Sequence, residues 1–203
     1  EIHNSAYMTL EQVIDVIKSA EHEGKMTVRL HTGDPSLYGA IREQMDRLDE
    51  LGIKYDICPG VSSFCGAAAA LRAEYTLPDV SQTVIITRMA GRTPVPEKES
   101  IAALAAHNAT MVIFLSTGLL KELSAELIRG GYKPDTPAAI VYKASWADQK
   151  VCRCTVEDLA HTASDNGITK TALICVGYFL GNDYSLSKLY DKSFETEFRK
   201  AEI

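Results

Sequence analysis

The sequence predicts an α/β fold arranged as two lobes. Short apolar, β-branched runs alternate with amphipathic helical stretches along the whole chain, and glycine or proline punctuates nearly every junction. The pattern then restarts after Leu77-Pro78-Asp79, which places a first lobe at 1–79 and a second at 80–203.

Each element has its own signal. Leu10, Val13, Ile14, Ile17 and Ala20 recur at helical spacing, Thr9 with Gln12 reads as a capping box, and Gly24 can end that helix. Met26–Leu30 reads as a strand that runs into Gly33-Asp34-Pro35. A second helix is expected from Ser36, with Leu37, Ile41, Met45, Leu48 and Leu51 on one face and Gly52 beyond it. Tyr55–Cys58 is expected to be a strand closed by Pro59-Gly60, and Ser62 or Ser63 opens an alanine-rich helix to about Arg72.

The second half repeats the alternation. Strands are expected at Thr83–Arg88, Thr110–Leu115, Ala138–Tyr142, Val151–Cys154 and Leu173–Gly177. Helices are expected at Lys98–His107, Leu119–Arg129 (closed by Gly130-Gly131) and from Thr155 to about Ser164. Thr110–Leu115 is almost wholly apolar, as the interior of a sheet requires. The polar tail from Asn182 gives no clear period.

Composition narrows the function classes. The chain has 203 residues, 46% hydrophobic and 24% charged, with a net charge of −6, and it lacks the basic face a general nucleic-acid binder needs. No run of about 18 apolar residues exists, so no membrane span is expected. The first residues carry no signal-peptide pattern, and a chain that begins at Glu1 is expected to have lost its natural start. Five scattered cysteines are an odd number for a disulfide framework and suit a reducing cytoplasm. Cys152 and Cys154 are the only close pair; on a strand they share one face, and no second pair stands at metal-site spacing, so packing is expected and no metal.

Ligands of open α/β sheets bind beyond the carboxyl ends of strands, and four loops occupy such places. The first is Thr32–Gly39, where Gly33 allows close backbone approach and Asp34 offers an anion, although Gly-Asp-Pro is equally good turn chemistry. The second is Pro59–Ser63, whose serines are better read as caps than as nucleophiles. Phe114–Gly118 is the third, and Val141–Trp146, with the only tryptophan, is the fourth. No GxGxxG, Walker, HExxH or GxSxG motif occurs. Of five dispersed histidines, His31 alone sits beside a glycine loop as a candidate substrate contact, and Arg88 and Arg92 flank a loop able to receive carboxylates.

Taken in order, Leu30–Gly39, Pro59–Phe64, Thr87-Arg88 with Gly91–Pro94, Ala144-Ser145-Trp146 and Ser187–Asp191 resemble the tetrapyrrole methylases, the class III S-adenosylmethionine methyltransferases. Gly-Asp-Pro-x-x-Tyr-Gly alone is moderately specific; the ordered set is highly specific, and the resemblance spans almost the whole chain. It implies two α/β lobes with S-adenosyl-L-methionine folded into the cleft between them. By motif position it also implies cofactor contacts at Gly33, Asp34, Leu37, Ser62, Ser63, Leu115, Ala144 and Gly177, with Asp34 facing the cationic part of the cofactor.

Within that family the set fits the branch that methylates precorrin-4 at C11, as a cytoplasmic homodimer acting on a small tetrapyrrole. Such substrates are rich in carboxylates, so Arg88, Arg92 and Lys143 are the expected clamps. No general base is legible. The family opens with a strand and a GxGxGD-type loop that nothing before Thr9 matches, so roughly fifty residues are expected to be absent. Competing readings are a methyltransferase for another precorrin or for uroporphyrinogen, a ribosomal-RNA methyltransferase, which the acidic charge disfavours, and a non-catalytic nucleotide-binding module.

Overall fold

Three near-continuous apolar runs become the middle of a mixed five-stranded sheet in the computed structural model, which describes residues 1–201. The strands are β1 (Val84–Arg88), β2 (Thr110–Phe114), β3 (Pro137–Tyr142), β4 (Lys150–Thr155) and β5 (Ala172–Val176), in the spatial order β1-β2-β5-β3-β4. β1 and β2 are parallel, and β5 runs antiparallel to β2 on one side and to β3 on the other. β3 and β4 pair antiparallel from Pro137 opposite Thr155 to Tyr142 opposite Lys150.

The two-residue period of a strand sorts these side chains onto two faces. Met111, Ile113, Ala138, Ile140, Ile174 and Val176 share one core with α4 (Ile101–Ala105), α5 (Leu120–Gly130) and α6 (Leu159–Asp165). Val112, Ala139, Val141, Leu173 and Cys175 face the other way, onto Ala67 and Leu71 of α3 (Ser63–Leu71) with Tyr75 and Phe179. Because both faces are covered, the central strands carry no alternation of polar residues. All five cysteines are free thiols. Cys152 and Cys154 of β4 pack together against the first core, while burial pushes the Cys175 thiol up to about 12.

The chain forms two compact units, residues 1–63 and 64–201 of the described chain, and the boundary falls earlier than the expected 1–79 and 80–203. The cause is apolar: Ala67, Leu71 and Tyr75 belong to a core of the second unit. Tyr75 adds a hydroxyl bond to the Phe64 carbonyl (2.7 Å), and its own carbonyl accepts from Thr110 Oγ1 (2.8 Å).

The first unit is smaller. α1 (Leu10–His22) starts at the expected capping box, with the Gln12 N–H donating to Thr9 Oγ1 (3.3 Å) and the Thr9 N–H to Gln12 Oε1 (2.8 Å). Val13, Ile14 and Ile17 pack on Leu48 of α2 (Arg42–Glu50). Two expectations fail here. Met26–Leu30 and Tyr55–Cys58 join no ladder among the described residues; Met26 and Leu30 are 91% and 87% exposed. A strand exists only through a neighbour's hydrogen bonds, and alternation alone does not supply one. α2 also begins at Arg42 rather than at Ser36, because Tyr38 (φ 57°) and Ala40 (φ 49°) are left-handed and interrupt the expected helix.

Candidate active site

Two loops of the first unit interlock through bare backbone. A Cβ added to Gly60 would lie 2.2 Å from the Gly33 carbonyl oxygen, and one on Gly39 would lie 2.0 Å from the Pro35 carbonyl oxygen. Only glycine permits these approaches; Gly33 itself is left-handed (φ 75°), its Cβ position 3.4 Å from Ser62 Cα. Asp34 fastens the arrangement. Its Oδ2 accepts the Gly60 N–H (2.8 Å), and its Oδ1 accepts the Ser36 N–H (2.8 Å) and the Ser36 hydroxyl. The Ser36 hydroxyl first, then the Gly60 and Ser36 amides, hold the Asp34 carboxyl below the usual carboxylate range. Gly33, Asp34, Leu37, Ser62 and Ser63 therefore all belong to one pair of loops, with the Leu37 N–H donating to the Asp34 carbonyl (3.4 Å) and Ser62 buried.

In the second unit the carboxyl ends of β1, β2 and β3 lie at one end of the sheet, beside the start of β5. Left-handed non-glycine residues gather there: Leu115 (φ 52°), Lys143 (φ 45°), Ser145 (φ 72°) and Thr171 (φ 58°). Strain of this kind persists only where surrounding structure enforces it, and it concentrates at functional loops. Leu115 is 72% exposed, an apolar side chain presented to solvent at a strand end. The fully buried Ser116 holds it in place, donating to the Phe114 carbonyl (2.7 Å) and accepting the Met89 N–H (2.9 Å). The start of β5 anchors both neighbouring loops, its Ala172 carbonyl accepting from Thr117 Oγ1 (3.2 Å) and its Thr171 carbonyl from the Lys143 N–H (2.9 Å).

The fourth loop is closed on itself. Lys143 Nζ pairs with Asp148 Oδ2 (2.5 Å) and sits 5.1 Å and 5.2 Å from the ring centroids of Tyr142 and Trp146. The Ser145 N–H donates to Gln149 Oε1 (2.7 Å), and the half-buried Ala144 lies against Gly66 of α3. Of the three expected clamps, Lys143 is thus already neutralised by Asp148, which raises its pKa. Arg88 spends its guanidinium on the Pro94 (2.7 Å) and Thr93 (3.1 Å) carbonyls and so shapes the loop that carries Arg92. Arg92 is exposed, and its side chain has no partner among the described residues.

Gly177 stands apart. It follows β5 at the opposite end of the sheet from Leu115 and Ala144, donating its N–H to the Pro137 carbonyl (3.0 Å) with its Cβ position 3.4 Å from Thr110 Cα. Its left-handed φ of 140° and tight surroundings make it a packing glycine of that end, so it does not join the other second-unit candidates. Ser36, Ser116, Asp148 and Gln149 carry the loops' geometry and were not legible as site residues. Ser36 pairs locally with Asp34, while Ser116 answers the distant Met89 N–H and Asp148 and Gln149 answer the left-handed Lys143 and Ser145. Among the described residues no group of three or more His, Cys, Asp or Glu is placed to hold a metal ion, and no helix is long and apolar enough to cross a membrane.

Replacing the fully buried Ser116 by alanine leaves the part-buried Met89 N–H without its partner. The expected loss is about 1–3 kcal/mol of stability, read from urea unfolding with an unchanged slope. A variant as stable as the parent would show that the two loops are held by something else.

Residues 1–160 match the family described as Tetrapyrrole (Corrin/Porphyrin) Methylases. A cobalt-precorrin-4 C(11)-methyltransferase of Methanocaldococcus jannaschii is 56% identical over 202 residues, covering 99% of this chain and 78% of that protein. One of the same name from Priestia megaterium is 49% identical, covering 98% and 79%. The X-ray structure of a cobalt precorrin-4 methyltransferase, described as a cobalamin biosynthetic enzyme, is 48% identical with a TM-score of 0.87, covering 90% of this chain and 76% of its own. Interlocked glycine loops, a strained strand-end cluster and these matches agree: the chain belongs to the tetrapyrrole methylase family.

Proposed function

We propose that this chain transfers the methyl group of S-adenosyl-L-methionine to C11 of cobalt-precorrin-4, giving cobalt-precorrin-5 in corrin-ring synthesis. The observation that carries the reading is its 56% identity, over 99% of its length, to a relative of that name. The glycine loops of the first unit fit the methyl donor, because Gly33 and Gly60 leave backbone polar groups uncovered by side chains. The sulfonium of the donor supplies an activated methyl group, and C11 of the reduced ring supplies the electron pair that forms the new carbon–carbon bond as the carbon–sulfur bond breaks. What the protein adds is alignment, a contribution of up to about 7–11 kcal/mol when the reacting atoms are held in line. The loops suit that task better than they suit proton transfer, since the partners of Asp34 and Asp148 lower both carboxyl pKa values and leave them weak bases.

The same reading makes the protein a cytoplasmic homodimer that binds no nucleic acid. The net charge of −6 supports the last point, and the free cysteines the first. Light scattering of the full-length protein should give twice the monomer mass. The decisive assay incubates that protein with methyl-labelled S-adenosyl-L-methionine and either cobalt-precorrin-4 or uroporphyrinogen III. Label should enter only the first, adding one methyl group at C11 by NMR. Label in uroporphyrinogen III instead would overturn the substrate assignment and leave the family intact.

A further inference from the structure

We propose that Asp34 is a positioning residue: its carboxylate staples the Gly33 loop to the Gly60 loop, and it is not the counter-ion of the cofactor's cationic sulfur. The inference rests on reading those loops as the S-adenosyl-L-methionine site. It contradicts the simplest expectation for an acidic residue beside a sulfonium, so the geometry must carry it.

Three features do. Both carboxylate oxygens are engaged inside the protein, Oδ2 by the Gly60 N–H across 26 residues of sequence and Oδ1 by two donors of Ser36. A carboxylate with three charge-assisted partners is fixed in orientation, and most of its acceptor positions are filled from within the protein. The backbones it joins are in direct contact, since a Cβ on Gly60 would lie 2.2 Å from the Gly33 carbonyl oxygen. Ligand-facing amides and carbonyls of both loops are therefore set relative to one another by this one side chain. Without it, two exposed turns would have only their glycine contact to hold them.

A counter-ion and a staple respond differently to three ligands. S-Adenosyl-L-methionine carries the sulfonium, S-adenosylhomocysteine lacks it, and 5′-methylthioadenosine lacks the amino-acid part as well. Calorimetry on the full-length protein should find that Asp34→Asn weakens all three by one common factor, on the order of tenfold, the scale of a charge-assisted bond discounted for solvent exposure. Gly60→Ala should reproduce that uniform loss without touching any charge. Asp34→Glu, which keeps the charge but overreaches by one methylene, should lose affinity too. In the absence of ligand, the Gly60 amide should exchange with deuterium faster in Asp34→Asn, while the melting temperature of the second unit stays put.

Selective weakening of S-adenosyl-L-methionine in Asp34→Asn, or full activity in Asp34→Glu, would restore the counter-ion role and overturn the staple. Loss confined to the two ligands that carry the amino-acid part would assign Asp34 a direct contact there. An unchanged Gly60 amide would overturn the staple itself. Failure of the unmodified protein to bind any of the three is a different result and sinks the functional reading instead.

Discussion

Replacing Arg92 by alanine in the full-length enzyme should lower kcat/KM for cobalt-precorrin-4 by about tenfold to a hundredfold and leave S-adenosylhomocysteine affinity nearly unchanged. The substrate is a polyanion and the protein carries a net charge of −6, so attraction has to come from local cations. Lys143 is held by Asp148, and Arg88 is bound to the carbonyls of Thr93 and Pro94. That leaves Arg92, exposed on a loop whose shape Arg88 fixes, with a planar fork suited to a carboxylate. The expected loss equals about 1.5–3 kcal/mol, the usual range for a hydrogen bond to a charged group. Arg92→Lys should recover only part of it, since an ammonium is a point charge. A variant with unchanged kcat/KM would move the clamp elsewhere; one that loses cofactor affinity would mean Arg92 supports the loops.

Gly130→Ala should be the most damaging single methyl group in the second unit. Its Cβ would lie 2.4 Å from the Ala102 carbonyl oxygen and 2.5 Å from Ala105 Cβ, where the end of α5 crosses α4. Neither neighbour can swing away, one being backbone and the other a fully buried methyl. Overpacking of this kind costs about 1–3 kcal/mol, enough to lower the melting temperature by several degrees in a chain of this size. Gly131→Ala is the comparison: it has space but sits at φ 126°, so its cost is conformational. Equal stability of Gly130→Ala and the parent would show that α4 shifts freely.

The contrast between these two glycines shows what was readable. Gly130-Gly131 reads as a helix stop, and Gly131 is one; that Gly130 instead marks a helix crossing depends on Ala102, far away in sequence. The sheet strands were legible because β2, β3 and β5 are apolar runs of strand length, buried on both faces. Met26–Leu30 carries an alternating strand pattern and forms no ladder, since pairing is a property of two segments and composition describes one. At the site, motif order singled out the loops, while the partners of their charged residues were hidden. Asp34 is answered by Gly60, Lys143 by Asp148 and Arg88 by two carbonyls, and each pairing follows from the folded path of the backbone.

The strand order also has a temporal side. β5 is last of the five in the chain and third in space, bonded to β2 on one edge and to β3 on the other. In a growing polypeptide β1, β2, β3 and β4 are all complete in sequence before Ala172–Val176, the strand that joins the β1–β2 pair to the β3–β4 hairpin, has been synthesised. Until then the edges of β2 and β3, among the most apolar in the molecule, stand open to any strand that meets them. Emergence from the ribosome is thus a moment at which these two edges lack the strand that covers them in the finished fold.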